Sequence, residues 1–275
     1  MKRRELLTAG AALCGAFAAV SIERDRAAGD QTGNSAGNPA DEAEQPYTWP
    51  YEEVDPDAAA DYAYSLYPEG RCMYSAFRAV VELAGRARSA KHPEEKRHWE
   101  QFPYRMMFYG KTGVHSYGSL CGVLNGCAAA VSLLVPLKEI AAAMTRELFY
   151  YYESTAFPIY TPKESPFSNM EQSVAESVLC HVSESRWLAA AGVEESSPRR
   201  SDRCARLTAD MVRKTVELLN RYYRAGEGEK CLFAPMPEPA ASCVECHNGE
   251  TRQKDVAVQM NCALCHDDLS EDHGK

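Results

Sequence analysis

From Asp55 to about Ala225 apolar side chains recur at helical spacing, and no segment alternates apolar and polar residues convincingly as a strand would. Cys204, Leu207, Met211, Leu218 and Tyr222 fall along one stripe of a helix with 3.6 residues per turn. Cys72 to Ala87, Ala128 to Tyr152 and Glu171 to Ala190 also read as helices. Gly110, Gly113, Gly118, Gly122 and Gly126 crowd one loop around Cys121, a density expected where backbone turns sharply or approaches a neighbour closely. The pattern predicts an all-α protein, a helical domain followed by a short irregular segment.

The flanks differ. Lys2, Arg3 and Arg4 precede an apolar run from Thr8 to Val20, and small residues occur before Ala28. A charged start and a short apolar stretch read as an export signal over residues 1–28, and the paired arginines point to its twin-arginine class. Residues 29–50, rich in Gly, Asn, Asp, Glu and Pro, read as a flexible leader. The helical domain is expected over 51–233, a Pro-rich linker (APMPEPAA) over 234–241, and a last segment over 242–275 with few large apolar side chains. Such a segment cannot bury a core alone. No stretch reaches the roughly 18 apolar residues of a membrane span. The net charge of −9 argues against nucleic acid and suits a basic protein partner.

Composition sharpens the picture at one point, the 11 cysteines beside only 7 histidines. Four of them form Cys243-Val244-Glu245-Cys246-His247 and Cys262-Ala263-Leu264-Cys265-His266. This C-x-x-C-H spacing attaches haem c: two thiols bind the porphyrin's vinyl groups, and the following His reaches the iron. Two haem c groups are therefore expected on Cys243, Cys246, Cys262 and Cys265, with His247 and His266 as proximal ligands. A zinc site with paired C-x-x-C motifs is the competing reading. Each iron needs a second axial partner or stays open for chemistry. His181 and His115 are the candidates, while His92 and His98 sit in a charged, surface-like stretch. The tail itself adds His273 and Met260.

Cys72, Cys121, Cys127, Cys180, Cys204 and Cys231 remain once Cys14 is assigned to the signal. Three disulfides would use them, and so would an iron–sulfur cluster. Twin-arginine export carries folded proteins, which favours a cofactor inserted before export.

The segments LCGVLNGCAAA (120–130), LCHVSESRW (179–187) and RCARLTADMVRKTVELLN (203–220), with Cys72 before them and the paired haem motifs after, resemble split-Soret cytochrome c. They are also similar to redox-active proteins named for a C…GCAxxG…C…C pattern, although Val131 stands where that pattern ends in Gly. The resemblance implies a dimeric dihaem electron carrier with closely stacked, bis-His haems, one ligand crossing from the partner subunit. It also implies a [2Fe–2S] centre, with Cys72, Cys121, Cys180 and Cys204 as ligands and Cys127 as an alternative. The expected function is electron transfer in the periplasm. The rival is a haem-dependent reductase or peroxidase with an open haem position or a reactive cysteine pocket.

Overall fold

A computed structural model describes residues 49–226 and Met260. The export signal, most of the leader, the Pro-rich linker and both haem motifs lie outside the described residues. Within them the order is α1 (Pro56–Lys91), α2 (Lys96–Glu100), α3 (Gly122–Leu134), α4 (Lys138–Ser154), β1 (Ala156–Phe157), β2 (Ser173–Val174), α5 (Cys180–Ala191) and α6 (Pro198–Ala225). The protein is helical, as the hydrophobic pattern predicts.

Local chemistry sets the ends of the long helices. Asp55 caps α1, its carboxylate accepting from the N–H groups of Asp57 (2.8 Å) and Ala58 (2.9 Å), and Pro56 takes the first turn, where no N–H is needed. Ser197 and Pro198 repeat the device at α6. The α6 stripe is buried as expected, with Leu207, Met211 and Leu218 at 2% exposure or less. Burial extends to Ala209, Val212, Thr215, Val216 and Leu219, because α6 packs against α1, α3 and α4. Asn220 ties the incoming chain to this helix. Its Oδ1 accepts from the Tyr51 hydroxyl (2.7 Å) and the Val54 N–H (3.2 Å), and its Nδ2 donates to the Val54 carbonyl (2.8 Å).

Several expectations need correction. The helix expected over Ala128 to Tyr152 is two helices, α3 and α4, separated at Val135–Leu137. Pro136 lies in the break, where it lacks the N–H that a continuing helix would use and its ring would crowd the preceding turn. The one expected over Glu171 to Ala190 begins only at Cys180. Ser173 and Val174 instead pair antiparallel with Phe157 and Ala156, a two-residue ladder too short to show period 2 in the sequence. Gly122 and Gly126, expected in a loop, belong to α3. Trp49, assigned to the flexible leader, is buried: its N–H donates to Leu133 O at 2.9 Å, and its ring meets Trp99 edge-on.

Candidate functional site: a four-cysteine pocket

Four separate stretches of chain bring thiols to one cavity. Within α1 the backbone leaves helical geometry at Arg71 (φ 66°, ψ −166°), so that Cys72 begins a fresh helical run to Lys91. That conformation is natural to glycine and costs a side-chain-bearing residue on the order of 1–3 kcal/mol. Arg71 is held there by a hydrogen bond to Ser201 Oγ (2.8 Å) and by lying over the Tyr67 ring. Cys121 is the N-cap of α3, and Cys180 is the first residue of α5. An antiparallel bridge between Leu120 and Leu179 sets these two side by side: Cys121 N–H donates to Val178 O (2.9 Å) and Cys180 N–H to Ser119 O (2.7 Å). Cys204 comes from α6. All four line a cavity of about 220 Å³ together with Tyr67, Tyr152, Arg200 and Arg203.

Close backbone approach permits this convergence. A methyl group on Gly122 would lie 2.6 Å from Cys72 Sγ and 2.3 Å from the Gly110 carbonyl oxygen, so only glycine lets the thiol and that carbonyl sit so near α3. The expectation drawn from the glycine density holds at this position. Loop 111–119 lends Lys111, Thr112 and Ser116 to the lining, and in it Thr112, Val114, His115 and Ser116 all have positive φ. Non-glycine residues in that region carry strain, which is commonest at functional sites.

The electrostatics favour negative charge at one of the four thiols, Cys121. Three of the four cysteines stand at the start of a helical run, where unpaired N–H groups and the helix dipole stabilise anions. Cys121 is pushed down to about 6, first by its hydrogen bond with Cys180 and then by Tyr152, the Val123 N–H and the Arg203 charge. Cys180 is pushed up by that same hydrogen bond, so the pair loses its first proton at Cys121. Burial raises Cys72 to about 12, with Cys121 and Cys204 adding to the effect. None of the five described cysteines is in a disulfide.

Cys127, the alternative ligand, is elsewhere. It is fully buried, its thiol is directed to Met211 O (3.8 Å), and burial raises its pKa to about 12. It does not line the cavity.

The lining fits a polynuclear anionic group better than one ion. Among the described residues no three of these sulfurs lie within 4.8 Å of one another, the spread that one ion's ligands keep. Cys₄ sets hold two-iron clusters as well as single ions. Of the buried side-chain donors that lack acceptors, two belong to this lining. The Tyr152 hydroxyl and Arg203 Nε make no hydrogen bond at full geometry, although both side chains line the cavity. Buried polar groups are normally satisfied, so an acceptor-rich group between the thiols answers both.

Neither residue was singled out from the sequence. Tyr152 closes a run of three tyrosines, and only the position of α4 decides which one meets Cys121. Arg203 does adjoin Cys204 in the sequence, which was a usable signal.

The histidine candidates flank the same loop. His181 is exposed, and its Nδ1–H donates to Gly118 O (2.9 Å), which leaves Nε2 to act as a metal ligand. His115 is exposed within loop 111–119. His92 lies 3.4 Å from Glu94, as its charged surroundings suggested, whereas the His98 ring packs at a tilt against buried Trp49, with the ring centres 4.1 Å apart. Met260 packs half-buried against the core.

A helical body that gathers cysteines from successive helices defines a class of redox-active proteins. Residues 94–218 match the family model described as "Putative redox-active protein (C_GCAxxG_C_C)". That span contains Cys121, Cys127, Cys180 and Cys204 but begins after Cys72, so the cavity takes one thiol from outside it and leaves Cys127 aside. The particular family follows from the whole chain. It is 34% identical over 272 residues, 96% of its length, to split-Soret cytochrome c of Desulfovibrio desulfuricans strain ATCC 27774, and covers 94% of that relative. A solved structure described as a novel iron centre in the split-Soret cytochrome c from that strain superposes with a TM-score of 0.71 at 31% identity, over 82% of this chain and 93% of the other. The chain belongs to the split-Soret cytochrome c family, and its role is that of an electron-transferring cytochrome.

Proposed function

We propose that the protein is an exported dihaem c-type cytochrome that transfers electrons and holds a [2Fe–2S] centre on Cys72, Cys121, Cys180 and Cys204. The observation that supports it most is the meeting of those four thiols in one cavity fed by three helix starts. Such a centre, when bound, supplies one-electron chemistry. The chain's own part is to fix the four sulfurs in one cavity and to favour thiolate at Cys121. The helix starts and Arg203 favour thiolate, while burial of Cys72, Cys121 and Cys180 shields them from bulk solvent. The related structure is described as having a novel iron centre, which supports an iron-holding site in this chain, and the two unsatisfied donors support an anionic group in the cavity.

The haems are assigned to Cys243 and Cys246, and to Cys262 and Cys265, with His247 and His266 as proximal ligands. His181 is the first choice for a distal ligand, because its tautomer is already fixed by Gly118, and His115 is the second. A homodimer in the periplasm, delivered by the twin-arginine signal and docking a basic redox partner, completes the reading; the chain's net charge of −9 supports the last point.

Haem staining, mass and optical spectra test it. Expected are a mass gain of two covalent haems and low-spin bands unchanged by cyanide or carbon monoxide. A high-spin fraction that binds either ligand would point to the reductase or peroxidase instead. In His181→Ala a new high-spin band is expected, and an unchanged bis-His spectrum would remove His181 from the ligand set.

A further inference from the structure

We infer that Tyr152 and Arg203 are the two hydrogen-bond donors that raise the reduction potential of the group held by the four thiols; this rests on the cluster reading above. Tyr152, on α4, is fully buried, and its hydroxyl lies beside Cys121 and Ser183. Arg203, on α6, is 3% exposed. Its Nη2 donates to Ser183 Oγ (2.8 Å), its Nη1 is directed to Cys204 Sγ (3.9 Å), and its charge stands over the Trp187 ring. Ser183 and Trp187 thus hold the guanidinium in place.

A buried guanidinium is costly unless it meets negative charge. The nearby Arg200 has a carboxylate, Glu184 at 2.5 Å. Among the described residues Arg203 makes no ion pair; what lies beside it are the thiols of Cys204 and Cys121. It is placed to compensate charge on sulfur. The Tyr152 hydroxyl and Arg203 Nε, neither of which makes a well-formed hydrogen bond to a protein atom, would supply two further contacts to the same anion.

Adding one electron makes a thiolate-held cluster more negative. A fixed cation and neutral donors therefore stabilise the reduced state more than the oxidised one, and the potential rises. Neither side chain needs to titrate for this.

The test uses the full-length protein with haems attached, purified anaerobically, with non-haem iron and acid-labile sulfide counted for each variant. Tyr152→Phe and Arg203→Lys are titrated with dithionite and mediators, and the cluster's EPR signal is followed. Each variant is expected to retain iron and sulfide and to lower the equilibrium constant for reduction about tenfold, which is 59 mV for one electron. A loaded cluster whose potential matches the parent's within twofold in that constant overturns the inference. If either variant loses its iron, Ser183→Ala decides. It is not one of the four thiols and frees one arm of Arg203, so a smaller downward shift is expected, and no shift overturns the assignment. Absence of sulfide from the parent protein refutes the cluster reading itself and is distinguishable from both results.

Discussion

Gly122→Ala tests the packing that brings the pocket together. The new methyl would meet the Gly110 carbonyl oxygen at 2.3 Å and Cys72 Sγ at 2.6 Å. The carbonyl is backbone, and Gly110 is itself pressed against Met73, so it has little room to retreat. The Cys72 thiol or the start of α3 must move. Overpacking of this kind costs about 1–3 kcal/mol, offset in part by alanine's better helix propensity. A net loss of about 1 kcal/mol corresponds to roughly 2–4 °C in Tm for a body of this size. The informative control is Gly192→Ala, at the C-cap of α5. There φ is 62° and nothing lies within 4 Å of the added methyl, so only backbone strain of about 1 kcal/mol is incurred. Thermal unfolding is followed by circular dichroism, with iron and sulfide counted on the same samples. Both variants are expected to be less stable, but only Gly122→Ala should also lose non-haem iron. Gly122→Ala with parental Tm and a parental iron count would refute the idea that this approach shapes the site.

Other expectations concern the body of the fold and the haems. Asn220→Ala removes three hydrogen bonds that join Tyr51 and Val54 to α6, and should cost about 2–4 kcal/mol in urea unfolding. Burial raises Glu153 to about 7, so the folded state binds a proton that the unfolded chain gives up near 4.5. Stability should therefore fall as pH rises from about 4.5 to 7. Glu153→Gln should flatten that fall, with a gain of order 3 kcal/mol at pH 8 and little change at pH 4, read from urea midpoints; an unchanged pH profile would rule out this carboxyl as its source. Cys243→Ser together with Cys246→Ser should remove one haem from the mass, and the parental mass gain in that variant would refute the attachment.

Much of the fold was legible in the chain because burial of a helix face is written in spacing. The α6 stripe could be read directly, whereas the Asp55–Pro56 and Ser197–Pro198 caps are recognised as helix starts only in the structure. The breaks were harder. Pro136 was a visible signal, passed over because apolar residues continue on both sides of it. The interruption at Arg71 had a local signal in Pro68 and Gly70 just before it, but its place at Arg71 itself is set by tertiary contacts to Ser201 and Tyr67, which hold an ordinary helix former in a glycine-like conformation. The candidate cysteines came from resemblance rather than spacing, because their positions run from 72 to 204 and only the fold brings them together. Geometry then separated Cys127, on the Met211 side of α3, from the other four. The role given to Tyr152 depends on which of three successive tyrosines faces inward, which α4 alone determines.

The central claim is that the thiols of Cys72, Cys121, Cys180 and Cys204 hold a two-iron cluster beside two haems. Counting iron, acid-labile sulfide and covalent haem on one anaerobically purified sample tests it most directly. The account predicts four irons, two sulfides and two haems per chain, and a cysteine-to-serine change at any of the four positions should lower the sulfide count. Two irons, both in haem, and no sulfide would contradict it.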